Sequence, residues 1–130
     1  MPGMNTNGVT LNTQALRDPA HPIHRIADQI EPYLRVLAEE FQPQEIILFG
    51  SYAYGAPNDS SDIDLLVVKP IERSALKDAL AIRRRWRELR KRLPYIPIGL
   101  LIESPARHRE RLQRKGSFYT EINERGIALI

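Results

Sequence analysis

The residues best suited to chemistry lie in the stretch "LFGSYAYGAPNDSSDIDLLVV", from Leu48 to Val68. Asp62 and Asp64 are one residue apart at the start of an apolar run that predicts a strand. Side chains two positions apart on a strand point to the same face, so the two carboxylates project together. Adjacent carboxylates repel each other unless a cation lies between them. A hard divalent ion with oxygen ligands fits such a pair, and Mg²⁺ is the natural candidate.

Gly50 and Ser51 follow the preceding apolar run, "EIILF". A glycine at the end of a strand lets the backbone approach a ligand closely, and amide groups at the start of a following helix stabilise phosphate oxygens. The Ser51 hydroxyl can add a further donor. A phosphate cradle on one strand end and a metal-binding carboxylate pair on the next are the two halves of a phosphoryl-transfer site.

Each of these parts has an ordinary structural interpretation when it is taken alone. An Asp-x-Asp at a strand edge is commonly a solvated turn or a helix cap, and Gly and Ser are common turn residues. The functional interpretation depends on the joint pattern. A strand, Gly-Ser, a second glycine, and then Ser-Asp-x-Asp entering a buried strand, all within about twenty residues, satisfy several independent requirements together.

The composition predicts one compact domain with a modest core, because the chain has 130 residues of which 42% are hydrophobic. The formal net charge of +3, from 19 Lys and Arg against 16 Asp and Glu, is weak support for an anionic ligand. The chain has no cysteine, which excludes disulfides, zinc–thiolate sites and cysteine nucleophiles and is compatible with a reducing intracellular setting.

Residues 1–22 are polar and contain several glycines and prolines, so we expect a flexible N-terminal arm. They lack the basic start and continuous apolar segment of a secretory signal. No run approaches the roughly eighteen apolar residues that span a bilayer, and we therefore expect a soluble, cytoplasmic protein.

Apolar residues at three- and four-residue steps predict a helix from His24 to Phe41, kinked or restarted at Pro32. Helices separating short strands predict an α/β or α+β fold with at least three strands. The expected strands cover 45–49, 62–69, 96–104 and the short tail 127–130, and the expected further helices cover 72–93, 105–115 and 117–126. The expected buried positions of the 72–93 helix are Leu76, Leu80, Trp86, Leu89 and Leu93.

The segment "GSYAYGAPNDSSDID" resembles the signature of the minimal nucleotidyltransferases in the DNA polymerase beta-like superfamily. The resemblance covers the chain from about Ala27 to Ile130, and it implies a nucleotidyltransferase domain at 23–130. It implies a small mixed sheet of three to four strands packed with helices. The implied reaction is the transfer of a nucleoside monophosphate, AMP from ATP, to a hydroxyl acceptor, with release of pyrophosphate.

The resemblance also assigns roles to individual residues. Gly50 and Ser51 would hold the triphosphate, and Asp62 and Asp64 would be the catalytic residues that bind magnesium. Ser61 belongs to the same nucleotide-binding segment, where it caps the start of the strand rather than reacting. Relatives of this kind often pair with HEPN-type toxins, which some of these relatives inactivate by adenylylation, so the resemblance implies a HEPN-type partner in a toxin–antitoxin pair.

The chain departs from the family pattern at Gly99, where relatives carry a third aspartate on the next strand. That carboxylate helps to bind the metal that activates the attacking hydroxyl, so its loss should impair chemistry more than nucleotide binding. Glu103 shares a strand face with Gly99 but lies four residues on, about 13 Å along an extended strand. The alternative hypothesis is therefore a non-catalytic module that binds a nucleotide or a partner.

The arginine-rich segment "RRRWRELRKR" has two interpretations. Arg83, Arg87 and either Arg90 or Lys91 lie at helical spacing and could form an anion-binding face. A solvated helix face is slightly favoured, which leaves nucleic acid open and allows an acidic partner protein equally. A chain of 130 residues has little surface for recognising an acceptor, which favours a partner chain or a homo-oligomer.

Overall fold

The computed structural model describes residues 10–130, which form one four-stranded sheet with helices on both faces. The strands are β1 (Glu45–Phe49), β2 (Ile63–Val68), β3 (Ile98–Glu103) and β4 (Ile127–Ala128). The helices are α1 (Thr13–Arg17), α2 (Ala27–Phe41), α3 (Ser51–Tyr54), α4 (Ala75–Leu89), α5 (Pro105–Arg114) and α6 (Ser117–Arg125), and a 3-10 turn at Pro22–Ile26 precedes α2.

The sheet is mixed, with the strand order β3-β2-β1-β4. β1 pairs antiparallel with both β2 and β4, and β2 pairs parallel with β3. This confirms the α/β class and the small mixed sheet, and the four predicted strands are all present. No helix within residues 10–130 is long and apolar enough to cross a membrane.

The two faces of the sheet bury different sets of side chains, because residues alternate along each strand. Ile63, Leu65 and Val67 of β2 join the larger core, which is closed by α2 and α4. Leu66 and Val68 lie in a smaller cluster with apolar side chains from α5 and α6. By this alternation Asp64 shares the second face, at the end of β2 where the small cluster stops.

Pro32 does not restart the helix that was predicted from His24 to Phe41. α2 begins at Ala27, after the 3-10 turn, and runs through Pro32 to Phe41. A proline inside a helix removes one backbone donor. Packing offsets this loss, since Ile30, Leu34 and Leu37 are fully buried in the larger core.

The buried face of α4 differs from the prediction at two of its five positions. Trp86 is fully buried, whereas Leu76 is 70% exposed and Leu80 is 50% exposed. Two contacts fix the rotation of the helix. The Trp86 indole N–H donates to the Tyr33 carbonyl at 3.0 Å, and the Lys69 ammonium pairs with the buried Asp78 carboxylate at 3.0 Å.

The stripe that faces the core is therefore Asp78, Ile82 and Trp86, at four-residue steps. Leu89 and Leu93 are partly buried against the same core. The sequence pattern was misleading because a charged residue occupies the buried stripe, while two leucines lie outside it.

Residues 10–22 differ from the flexible arm that their composition predicted, and residues 1–9 lie outside the described part of the chain. Leu11 and Leu16 are buried in the larger core. The Asn12 side chain caps α1 by accepting from the Ala15 N–H at 2.9 Å, and its backbone N–H donates to the Leu129 carbonyl at 2.8 Å. This segment packs against the C-terminal end of the chain.

We expect Leu16→Ala to lower the free energy of unfolding by about 2–5 kcal/mol, because it removes a fully buried side chain. Leu76→Ala is the matched control, since the same truncation at a side chain that is 70% exposed should change stability little. Chemical denaturation measures both. Equal losses for the two variants would contradict the packing of the N-terminal segment.

Candidate functional site

Asp64 lies on the central strand β2, opposite Phe49 of β1 on one side and opposite Gly99 of β3 on the other. One carboxylate oxygen, Oδ2, is 2.5 Å from the position that a Cβ atom on Gly50 would take. The other, Oδ1, is 2.9 Å from the corresponding position on Gly99. The carboxylate thus occupies space that exists only because glycines lie on both sides of it.

The backbone conformation at position 50 requires a glycine, and so does the limited space beside Asp64. Its φ of +79° and ψ of −160° lie in a region that residues other than glycine avoid. The turn directs the chain from β1 into the short helix α3, and the Gly50 carbonyl accepts from the Ala53 and Tyr54 N–H groups at 3.0 and 3.1 Å. Ser51 follows immediately as the first residue of α3, and Gly50 lies beside the Asp64 carboxylate.

The loop before β2 is closed by its own polar side chains. The Ser61 hydroxyl accepts from the Asn58 N–H at 2.8 Å, and the Asn58 side-chain oxygen accepts from the Ser60 N–H at 2.9 Å. Ser61 therefore fixes the loop that leads into the strand, as expected, and its contact with a nucleotide stays a prediction. Asp62 is exposed and directly precedes β2.

The two carboxylates have no neutralising partner in the part of the chain that the structure describes. Within residues 10–130, neither Asp62 nor Asp64 forms an ion pair, and neither side chain accepts a hydrogen bond. Burial raises the pKa of Asp64 above its ordinary value, and the charge of Asp62 raises it further. The site therefore has uncompensated negative charge that a cation would relieve.

This donor set fits a cation that arrives with a polyanionic ligand. The described part of the chain contains no group of three or more His, Cys, Asp or Glu side chains placed to hold a metal ion. Mg²⁺ is commonly bound by one or two carboxylates together with substrate phosphates. Asp62 and Asp64 would hold such an ion, and the remaining ligands would come from phosphate oxygens and water.

The folded chain also lacks a third carboxylate at the position expected from the family pattern, since Gly99 lies directly opposite Asp64 in the β2–β3 pairing. Glu103 does not fill it. The Glu103 carboxylate is buried, pairs with the Arg111 guanidinium at 3.0 Å and accepts from the Tyr119 hydroxyl at 3.3 Å. Burial and the nearby Glu103 charge raise the pKa of Tyr119 to about 12, so this hydroxyl stays protonated as a donor.

The arginine-rich segment combines structural contacts with free charges. The Arg83 guanidinium donates to the Ile98 carbonyl at 3.0 Å, which joins α4 to the first residue of β3. Arg90 lies over the Tyr95 ring at 4.4 Å, and Lys91 pairs with Glu88 at 3.2 Å. Arg83, Arg90 and Lys91 therefore do not form one continuous charged face.

Sequence reasoning missed one feature of the site and one exposed ring on the segment that leads into β3. The mutual packing of Asp64 with Gly50 and Gly99 depends on strand register and on a positive φ, and neither has a local sequence signal beyond the glycines themselves. The exposed ring of Tyr95, close to the start of β3, was also missed. Its signal was an aromatic residue between two prolines, in "LPYIP".

The chain matches a known protein family over most of its length. The family model for the nucleotidyltransferase domain matches residues 30–124, well over half of the chain. The matched range contains the glycine turn, both carboxylates and Gly99. No curated protein matches the chain significantly.

We expect Asp64→Asn to be more stable than the wild type at pH 7 in metal-free buffer, because it removes a partly buried charge. The pKa of Asp64 is raised on folding, so the folded state holds this proton more tightly than the unfolded state. Wild-type stability should therefore fall as the pH rises from the ordinary carboxyl pKa through the raised pKa. The advantage of the variant should disappear at more acidic pH.

Thermal unfolding in EDTA across this pH range measures the difference. Asp59→Asn is the matched control, since Asp59 is exposed in the neighbouring loop and its replacement should not reproduce the pH dependence. A lower melting temperature of Asp64→Asn at pH 7 would contradict the electrostatic account.

Proposed function

Because the chain belongs to the nucleotidyltransferase domain family, we propose that it is a magnesium-dependent enzyme that moves AMP from ATP to a hydroxyl acceptor. The observation that carries the proposal is the Asp64 carboxylate, which lies between Gly50 and Gly99 without a neutralising partner among the described residues. A structural carboxylate in a strand would be paired or hydrogen-bonded.

The residues of the site divide the work of the reaction. The Gly50–Ser51 turn brings backbone N–H groups and a hydroxyl to the triphosphate. Asp62 and Asp64 hold the magnesium ion, which supplies positive charge to the triphosphate and to the leaving pyrophosphate. The acceptor oxygen forms a bond to the α-phosphorus, and the bond to the bridging oxygen of pyrophosphate breaks.

A second candidate function is a module that binds a nucleotide or a partner without efficient turnover. It is favoured by Gly99, which provides no carboxylate opposite Asp64. Glu103 supports this candidate too, because its carboxylate is engaged by Arg111 and Tyr119. In both candidates the nucleotide binds at the same place, and they differ in the activation of the acceptor.

The biological setting of the proposal is supported by the resemblance of the sequence. A HEPN-type partner protein, in a cytoplasmic toxin–antitoxin pair, would present the acceptor hydroxyl. Self-association is the other way in which a small domain could complete an acceptor site. A reading frame for a small helical HEPN protein next to this one would support the first arrangement.

We expect Mg²⁺ and ATP to bind together, and Asp62→Asn combined with Asp64→Asn to abolish the magnesium-dependent part of the binding. The reason is that the variant removes both protein ligands of the ion while keeping the shape of the side chains. Isothermal titration calorimetry with ATP, with and without Mg²⁺, measures the effect. If folded wild-type protein gives no magnesium-dependent heat with any of the four common triphosphates, the proposal is wrong.

We expect Gly99→Asp to raise the rate of nucleotidyl transfer about tenfold or more, a change of ~1.4 kcal/mol in the barrier, because it restores a carboxylate opposite Asp64. A Cβ atom there would be 2.9 Å from Asp64 Oδ1, the movable end of a side chain, so local adjustment can accommodate it. Self-modification with labelled ATP is the assay.

Gly99→Ala is the control, since it adds the Cβ atom without the carboxylate and should not raise the rate. Efficient transfer by the wild type, with Gly99→Asp neutral or harmful, would show that another group fills the vacancy. The account of β3 would then be wrong.

A further inference from the structure

The sheet face that carries Asp64 is organised in rows of side chains, because residues that are paired across neighbouring strands share a face. The row at one end of the sheet is formed by Gly99, Asp64 and Phe49. The next row belongs to the small apolar cluster under α5 and α6, and it consists of Leu101, Leu66 and Ile47. Asp64 therefore lies at the margin of the covering helices, between a position without a side chain and an aromatic ring.

A second aromatic ring, Phe118 in the first turn of α6, packs on this row. The Phe118 and Phe49 rings meet edge to face, with their centres 5.6 Å apart. Phe49 lies opposite Asp64 on the neighbouring strand, about 4.8 Å away across the sheet. Phe118 is 48% exposed, whereas the adjacent Tyr119 is buried in the small cluster. A single side chain thus separates the Asp64 position from an exposed aromatic ring.

Phe118 also lines a cavity at the turn between α5 and α6. The cavity has a volume of about 330 Å³, and its other lining residues are Arg111, Arg114, Gly116, Ser117 and Tyr119. A volume of this size lies at the lower end of the range for pockets that hold small ligands. It is enough for one part of a ligand, such as a nucleobase, whose remainder lies outside over the sheet.

The charges at this cavity favour an uncharged occupant. The Arg111 guanidinium pairs with the buried Glu103 carboxylate at 3.0 Å, and the Arg114 guanidinium pairs with Glu110. Both cations that line the cavity are therefore neutralised by carboxylates of the same chain. A second phosphate site would need cations that are free to bind it. A flat group without charge, placed against the Phe118 ring, is the better match.

We infer that the base of the bound nucleoside triphosphate stacks on Phe118, at the cavity between α5 and α6, and that the sugar lies over Phe49. This inference rests on the proposed function, which puts the triphosphate at the Gly50 turn and the magnesium ion at Asp62 and Asp64. Aromatic side chains bind bases through the flat faces of both rings. A purine offers a larger face than a pyrimidine, so Phe118 favours ATP and GTP over CTP and UTP.

The first test compares ATP with inorganic tripolyphosphate, which has the phosphates but no base, by isothermal titration calorimetry in the presence of Mg²⁺. We expect the wild type to bind ATP more tightly than tripolyphosphate. Phe118→Ala should weaken ATP binding about tenfold and leave tripolyphosphate binding unchanged. Phe118→Leu keeps an apolar contact with Phe49 but has no flat ring, and it should weaken ATP binding as well. This variant separates stacking on the base from packing on the sheet.

Tyr95→Ala is the matched control, because it removes another exposed ring, on the segment between α4 and β3, and should leave ATP affinity unchanged. The same titrations with GTP, CTP and UTP should show a preference for purines that Phe118→Ala removes. Three results would overturn the inference: unchanged ATP binding by Phe118→Ala, equal weakening of ATP and tripolyphosphate by that variant, or an equal loss of ATP affinity in Tyr95→Ala.

A fluorescence measurement tests the contact itself. The chain has one tryptophan, Trp86, and it is fully buried, so Phe118→Trp places a second and exposed reporter at the proposed contact. This variant should keep its affinity for ATP, because the indole also stacks on a base. ATP with Mg²⁺ should quench the added fluorescence, whereas tripolyphosphate with Mg²⁺ should not. Quenching to the same extent by both ligands, or by neither, would contradict stacking at this position.

The wild-type titrations distinguish a failure of this inference from a failure of the proposed function. If the folded wild type binds neither ATP nor tripolyphosphate with Mg²⁺, the proposed function is wrong, and the base site is lost with it. If the wild type binds both with the same affinity, the base contributes nothing to binding. The assignment of Phe118 then fails, while the triphosphate and magnesium site stands.

Discussion

The site depends on one constraint, the placement on the central strand β2 of a carboxylate that has no partner within residues 10–130. Asp64 can occupy this position because Gly50 on one side and Gly99 on the other leave room for its two oxygens. The strand register that aligns these residues is set by apolar packing further along β2, where Leu65, Leu66 and Val67 are fully buried. A slip of one residue would exchange the two faces of the strand, so the core determines where the charge lies.

A charge that supports the fold lies just beyond the other end of β2. Lys69 follows β2 directly, is buried, and donates both to the Asp78 carboxylate at 3.0 Å and to the Pro70 carbonyl at 2.8 Å. That charge is fully satisfied, and it fixes the rotation of α4. Asp64 has no such partner in the described chain, and burial of its charge raises its pKa. The Lys69 charge therefore supports the fold, whereas the Asp64 charge is available to a ligand.

The sequence was informative where the signal is local. Short runs of strand-forming residues predicted β1, β2 and β3 within a few residues, and Pro105 and Gly126 marked the start of α5 and the end of α6. Prediction from the sequence failed where tertiary contacts determine which residues are buried. Leu76 and Leu80 fit the helical pattern but are exposed, because Asp78 occupies the buried stripe of α4 instead. The pairing of Asp78 with Lys69 has no signal in sequence periodicity. Residues 10–22 looked like an arm because two buried leucines among polar residues form no period.

The same tertiary contacts organise the site into two sides with different chemistry. On the β1 side, the positive φ of Gly50 turns the chain from β1 into α3 directly beside Asp64 Oδ2. On the β3 side, a side chain is missing at Gly99, and Arg83 and Arg90 fasten the end of α4 to the residues that lead into that strand. The arginines that looked like one charged face are therefore divided: Arg83 and Arg90 hold this edge, whereas Arg87 and Arg92 form no ion pair or hydrogen bond with the described residues. The glycine that leaves room for Asp64 Oδ1 thus lies on the strand that Arg83 holds against α4.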